Sequence, residues 1–155
     1  MHGSTAAELH AQIHRWGAAN GDAEMAALTR AEFRSSLKYR QEAPGNCPMN
    51  EARIELEIVT SLPRWHPPSD ASDDLRRRWQ DFDRAIRLHE HGHYEFAQQE
   101  AKELSAALQA LKVERCEDMN AAARKANDQV AKRYQDLNDD YDRKTGHGRT
   151  QGAIL

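Results

Sequence analysis

Hydrophobic residues recur every three or four positions in three stretches of the chain, the spacing that buries one face of a helix. The first stretch begins at a capping box formed by Thr5 and Glu8, and Gly17 is expected to end it. The second and longest begins near residues 69–73 and carries the stripe Leu75, Trp79, Phe82, Ile86, His89, His93, Phe96, Leu104, Leu108 and Leu111. The third is expected to end at residues 138–140 and carries the stripe Met119, Ala123, Ala126, Val130, Tyr134 and Leu137.

Between the first and second helices the period changes to alternation of apolar and polar residues, which is typical of half-buried strands. The alternating apolar positions are Phe33, Leu37 and Tyr39 in one segment and Ile54, Leu56 and Ile58 in the next. Residues 44–48 contain two prolines and a glycine and are expected to form the loop between them. We therefore predict an α+β fold in which a small antiparallel sheet packs on the long helix, with a second long helix behind it. The length of 155 residues fits a single domain over residues 1–155.

The long helical stripe contains the sequence His89-Glu90-His91-Gly92-His93, an HExxH motif. Two histidines one helical turn apart project from the same face and are close enough to bind one metal ion together. Glu90 is rotated around the helix from that face and is not a ligand. It is placed instead to take a proton from a zinc-activated water. Two ordinary helical histidines are the alternative, but their place on an apolar stripe favours a metal site. Gly92 indicates close backbone approach, room for a substrate, or packing alone.

A catalytic zinc requires a third protein ligand, and the polar segment after the third helix offers two candidates. His147 lies between Gly146 and Gly148, which give its backbone freedom, and imidazole is the commoner zinc ligand. We therefore expect His147 to be the third ligand and Asp142 to orient a ligand imidazole from outside the ligand set. Tyr141 is a candidate donor of a hydrogen bond to the developing oxyanion, although a packed ring is as common an explanation.

Charge and composition exclude several classes of function. The 22 basic and 25 acidic residues are interspersed along the chain, so nothing indicates nucleic acid or an anionic membrane surface as a partner. There is no apolar stretch of about 20 residues that would span a membrane. The amino terminus lacks the features of a secretory signal, so we expect either a cytoplasmic protein or one that has lost a leader. Cys47 and Cys116 are compatible with one disulfide or with two unpaired thiols.

Together the residues resemble a bacterial family of predicted secreted zinc-dependent proteases, catalogued as a domain of unknown function. The resemblance spans nearly the whole chain and rests on the HExxH motif, on the two cysteines, and on the segment Tyr141-Asp142 with Thr145, His147, Gly148, Gln151 and Gly152. It implies a small zincin-like fold, one zinc ion, a periplasmic or secreted location, and a disulfide between Cys47 and Cys116.

These observations predict a zinc metallopeptidase that acts on a peptide or protein substrate. His89, His93 and His147 would bind Zn²⁺, and Glu90 would act as the general base. Two alternatives use the same residues: a zinc amidase acting on cell-wall or other non-protein amides, and a non-catalytic zinc-binding module. The second is disfavoured because a closed structural site usually has a fourth protein ligand, commonly cysteine, and both cysteines lie far from the motif in sequence.

Overall fold

The computed structural model describes residues 1–155 and has the predicted α+β architecture. Its elements in chain order are α1 (Ala6–Ala19), β1 (Leu28–Tyr39), β2 (Cys47–Ser61), α2 (Asp73–Gln109), β3 (Lys112–Val113) and α3 (Met119–Thr145). The chain also contains two short 3-10 helices, at Cys116–Asp118 and Arg149–Gln151. The strands form an antiparallel sheet in the order β1-β2-β3. None of the helices combines the length and apolar character that crossing a membrane requires.

Residues 1–30, 59–93 and 139–155 form one compact unit of the chain. Its core consists of two clusters of apolar side chains, and Trp79 packs against both of them. The buried members are Leu9, Ile13, Ala26, Ala27, Trp65, Ala71, Leu75, Phe82, Ala85, Ile86 and Ala153. Three of these residues, Leu75, Phe82 and Ile86, belong to the apolar stripe that the sequence predicts on α2. Thr5 and Glu8 form the predicted capping box at the start of α1.

Residues 31–58 and 94–138 form the second compact unit, and β1, β2, α2 and α3 contribute residues to both. In this unit one face of the sheet packs on the carboxyl-terminal half of α2 and on α3. The side chains that meet there are Phe33, Leu37, Ala52, Ile54, Phe96, Leu104, Leu108, Ala123, Val130 and Tyr134. The prediction of a sheet packed on the motif helix is confirmed. The prediction of a single domain stays a prediction.

Cys47 and Cys116 are joined by a disulfide that links the first residue of β2 to the turn before α3. Cys47 has no exposed surface and packs with Met49 and Met119. Next to the disulfide, β3 pairs Val113 with Cys47, a short strand that the sequence pattern missed because it has only 2 residues. The disulfide is compatible with an extracytoplasmic location.

Three predicted helix ends are wrong. Helix α2 ends at Gln109, so Leu111, the last residue of its predicted stripe, lies beyond it. Helix α1 continues past Gly17 to Ala19, and the carbonyl oxygens of Asp22 and Met25 come within 2.4 Å of where a β-carbon on Gly17 would lie. Gly17 is thus required for close packing inside the helix, not for ending it. Helix α3 continues past residues 138–140 to Thr145. Asp140 pairs there with Lys144 at 2.6 Å and with Arg143, contacts one turn along that support the helix.

Replacing Cys116 with serine should destabilise the second unit, since the disulfide closes a loop with a sequence separation of 69 residues. In the chain-entropy model a loop of this length contributes about 4 kcal/mol to the free energy of unfolding. Urea unfolding of Cys116→Ser and of the unchanged protein, each with and without reductant, measures this contribution. Reductant should lower the stability of the unchanged protein only; equal stability of all four samples would contradict the expectation.

Candidate metal centre

Helix α2 places the two motif histidines on one face, as their spacing predicts. The rings of His89 and His93 meet edge to face with centroids 4.8 Å apart, and their Nε2 atoms are 3.2 Å apart. His89 is almost fully buried, whereas His93 is partly exposed. The two imidazoles therefore aim the same nitrogen at one point beside the helix.

Asp142, near the end of α3, brings a carboxylate oxygen to that point. Its Oδ1 lies 3.1 Å from the Nε2 of His89 and 3.0 Å from the Nε2 of His93. The three atoms thus form a nearly equilateral triangle. A tetrahedral zinc with ligands at about 2.0–2.1 Å requires ligand atoms about 3.3 Å apart, so the triangle fits such an ion closely. His89, His93 and Asp142 form a group that could hold a metal ion.

Gln151 and Thr145 fix the orientation of the His89 ring through contacts with its Nδ1. The Nδ1 of His89 lies 3.1 Å from the Oε1 of Gln151 and 3.3 Å from the hydroxyl of Thr145. The amide nitrogen of Gln151 donates to the hydroxyl of Tyr141 at 3.0 Å, so the amide oxygen faces His89. An oxygen there accepts a hydrogen bond from Nδ1 and selects the tautomer whose Nε2 carries a lone pair, the form that binds a metal.

This arrangement has an electrostatic consequence at the centre of the triangle. A neutral His89 with its proton on Nδ1 directs the lone pair of Nε2 towards the carboxylate of Asp142, 3.1 Å away. Lone pairs that converge at such distances repel one another unless a positive charge lies among them. The geometry of these buried and half-buried groups is therefore one that could hold a cation.

The carboxyl of Asp142 is strongly acidic in this setting. Burial is the largest single influence and raises its pKa, but the contacts with His89 and His93 together with the charges of His93 and His147 outweigh it. The pKa of Asp142 therefore lies well below its usual range. The side chain is thus held in the ionised form that metal binding requires.

Glu90, the predicted general base, is only 4% exposed. Its Oε2 accepts a hydrogen bond of 2.7 Å from the hydroxyl of Thr29 on β1. The same hydroxyl lies 2.9 Å from that of Thr60 on β2. The carboxylate of Glu90 is therefore held by the start of β1, a contact that no sequence motif indicated.

Gly92 and Tyr141 pack against each other, which explains the glycine within the motif. A β-carbon on Gly92 would lie 2.6 Å from the Cζ and hydroxyl oxygen of Tyr141. The ring of Tyr141 stacks on that of His89 at 4.9 Å, nearly parallel, and meets His93 edge to face at 5.2 Å. Its hydroxyl donates to the carbonyl oxygen of His89 at 3.3 Å. These contacts are those of the packed ring that the sequence offered as an alternative, and the oxyanion role of Tyr141 stays a prediction.

His147 lies beside this group but is not one of the three residues whose ligand atoms lie within 4.8 Å of one another. Its Nδ1 is 3.6 Å from the Oδ1 of Asp142, and its Nε2 is 3.3 Å from the Oδ2 of Asp22. The group that could hold a metal ion thus includes Asp142 and not His147, whereas the sequence ranked His147 first. That His147 is a ligand stays a prediction.

The backbone around His147 is unusual. Gly146, His147 and Gly148 all have positive φ, and His147, at 52°, is the non-glycine residue in the left-handed region. The turn reverses the chain after α3 and returns it to α2, where a β-carbon on Gly148 would lie 3.1 Å from the Cβ of His89. A side chain held in this region costs about 1–3 kcal/mol, and such strain is frequent at functional sites.

Gly92→Ala should disturb the metal centre, because the added methyl group would overlap the ring of Tyr141. Overpacking of this kind costs about 1–3 kcal/mol, although alanine is otherwise the better helix former. Thermal unfolding and zinc titration of Gly92→Ala should show a lower Tm and weaker zinc binding. Gln99→Ala, at an exposed position of α2, is the control and should change neither. An unchanged zinc affinity in Gly92→Ala would show that Tyr141 can move without affecting the histidines.

Comparisons with known proteins identify the family but not an activity. No curated protein matches the chain. No solved structure matches it either. A family model described as "Bacterial protein of unknown function (DUF922)" matches residues 1–148, which include the HExxH motif, Asp142 and His147. The chain therefore belongs to this bacterial family of unknown function.

Proposed function

We propose that this protein is a zinc-dependent metallopeptidase with His89, His93 and Asp142 as its metal ligands. The carrying observation is the triangle formed by two imidazole nitrogens and one carboxylate oxygen with sides of 3.0–3.2 Å. The hydrogen bond at the Nδ1 of His89 supports the same proposal, since it leaves the Nε2 lone pair available. Imidazole and carboxylate donors in a three-residue set are typical of catalytic zinc.

The donor set distinguishes catalysis from a structural role. A structural zinc is normally enclosed by four protein ligands, whereas a catalytic zinc has three and leaves one position for water or substrate. The group here supplies three donors, and neither cysteine is available because both are in the disulfide. The site is thus suited to bind a substrate oxygen in addition to its protein ligands.

The remaining residues have separate roles in the proposed reaction. A zinc ion at this site would supply Lewis acidity, which polarises a carbonyl group and acidifies water. Glu90 takes a proton from the attacking water and returns it to the leaving amine. Thr29 holds the Glu90 carboxylate through its 2.7 Å hydrogen bond, and burial keeps bulk water away from it. Tyr141, Thr145 and Gln151 hold His89 in the binding tautomer.

Glu90→Gln should abolish hydrolysis of an unfolded protein such as casein while leaving zinc content at one ion per chain. The amide cannot accept the proton, but it has nearly the same shape and can still accept from Thr29. Zinc analysis and peptide release at saturating zinc measure the two properties. Glu55→Gln, at an exposed position of β2, is the matched control and should retain both. Turnover by Glu90→Gln would contradict the general-base role, and no cleavage by the zinc-loaded unchanged protein would contradict the proposed reaction.

Asp142→Ala should weaken zinc binding by orders of magnitude because it removes a ligand. His147→Ala should weaken it by only about 10 to 100-fold, the usual effect of a residue that supports a ligand. Competition with a chelator of known affinity measures both, and Asp139→Ala serves as the control because Asp139 is an exposed acid on the same helix. The opposite order would show that His147 is the third ligand.

A further inference from the structure

The carboxylate of Asp22 contacts the side of the His147 ring that faces away from Asp142. The Oδ2 of Asp22 lies 3.3 Å from the Nε2 of His147, and the Nδ1 of His147 lies 3.6 Å from the Oδ1 of Asp142. The ring is therefore held between two carboxylates, one of which belongs to the metal centre. Asp22 belongs to no recognised sequence motif and lies 120 residues before Asp142 in the chain.

Asp22 is itself held firmly by the turn that follows α1. Its other carboxylate oxygen, Oδ1, accepts a hydrogen bond of 2.9 Å from the backbone N–H of Glu24. Its backbone N–H donates to the carbonyl oxygen of Gly17, and its own carbonyl oxygen accepts from Met25, both at 3.1 Å. Gly17 permits this close approach because it has no side chain. One oxygen of Asp22 thus fixes the turn while the other is presented to His147.

The backbone of His147 is also constrained. Its backbone lies in the left-handed region, and its N–H donates to the carbonyl oxygen of Asp142 at 3.1 Å. Strain of this kind persists only where the surrounding contacts maintain it. The contact with Asp22 opposes rotation of the ring away from Asp142.

We propose that Asp22 is a positioning residue of the metal centre, which holds the His147 ring against the carboxylate of Asp142 and so keeps Oδ1 aimed at His89 and His93. Outer residues that orient a metal ligand commonly change metal affinity by about 10 to 100-fold. Because Asp22 acts through His147, its effect on zinc affinity should lie at the lower end of this range, near tenfold. The inference rests on the metal site of the proposed function and does not require peptidase activity.

Asp22→Asn is the variant that isolates this role. The amide oxygen can still accept from the N–H of Glu24 and preserve the turn, but the negative charge facing His147 is lost. Zinc affinity from chelator competition should fall about tenfold. The visible spectrum of the cobalt-substituted protein should shift, since it reports the geometry of the ligands. Glu24→Gln removes a charge from the same loop at an exposed side chain and should change neither.

A double-mutant cycle separates positioning through His147 from a general effect on the fold. In a His147→Ala background, Asp22→Asn should have no further effect on zinc affinity, because the ring through which it acts is gone. Equal losses in both backgrounds, or no loss in either, would overturn the inference while leaving the metal site intact. Failure of the unchanged protein to bind zinc would instead overturn the proposed function and this inference with it. Thermal unfolding without metal checks that Asp22→Asn remains folded.

Discussion

The close approach of Tyr141 to the backbone of Gly92 is the contact on which the candidate site depends. With a β-carbon at position 92, the end of α3 could not lie where it does, because that atom would overlap the tyrosine ring. Asp142 follows Tyr141 directly, and Thr145 lies one turn further along the same helix. Both reach His89 because the ring of Tyr141 stacks against it. One glycine thus determines where three side chains of α3 can act.

In the candidate metal centre, both ring nitrogens of His89 are in contact with other side chains. Its Nε2 faces Asp142 and His93, and its Nδ1 faces Gln151 and Thr145. Each face requires a different property, a lone pair on one side and a proton on the other. A neutral imidazole meets both requirements in one tautomer, so hydrogen bonding and metal binding support each other.

The sequence predicted those parts of the site that depend on local periodicity. His89 and His93 share a face because they lie one turn apart on a helix whose apolar stripe is unambiguous. The choice between His147 and Asp142 was less accessible, since it depends on where α3 ends. If α3 ended at residues 138–140, Asp142 would lie in the segment after the helix. The ion pairs of Asp140 with Arg143 and Lys144 instead stabilise the helix beyond that point. Side chains from distant segments, such as Thr29 and Asp22, have no local signal and follow only from the tertiary structure.

The short segment after α3 contributes to the candidate site, because it carries Gln151, which contacts His89. This short segment turns back through three residues of positive φ and packs against His89 through Gly148, while Ala153 joins the core of its unit. It carries no long helix or strand of its own, and the free energy needed to open a segment of this kind can be far smaller than that of global unfolding. An ion bound at His89 would favour the docked state by mass action. Metal concentration would then change amide-hydrogen exchange and protease resistance in this segment while the rest of the fold stays intact.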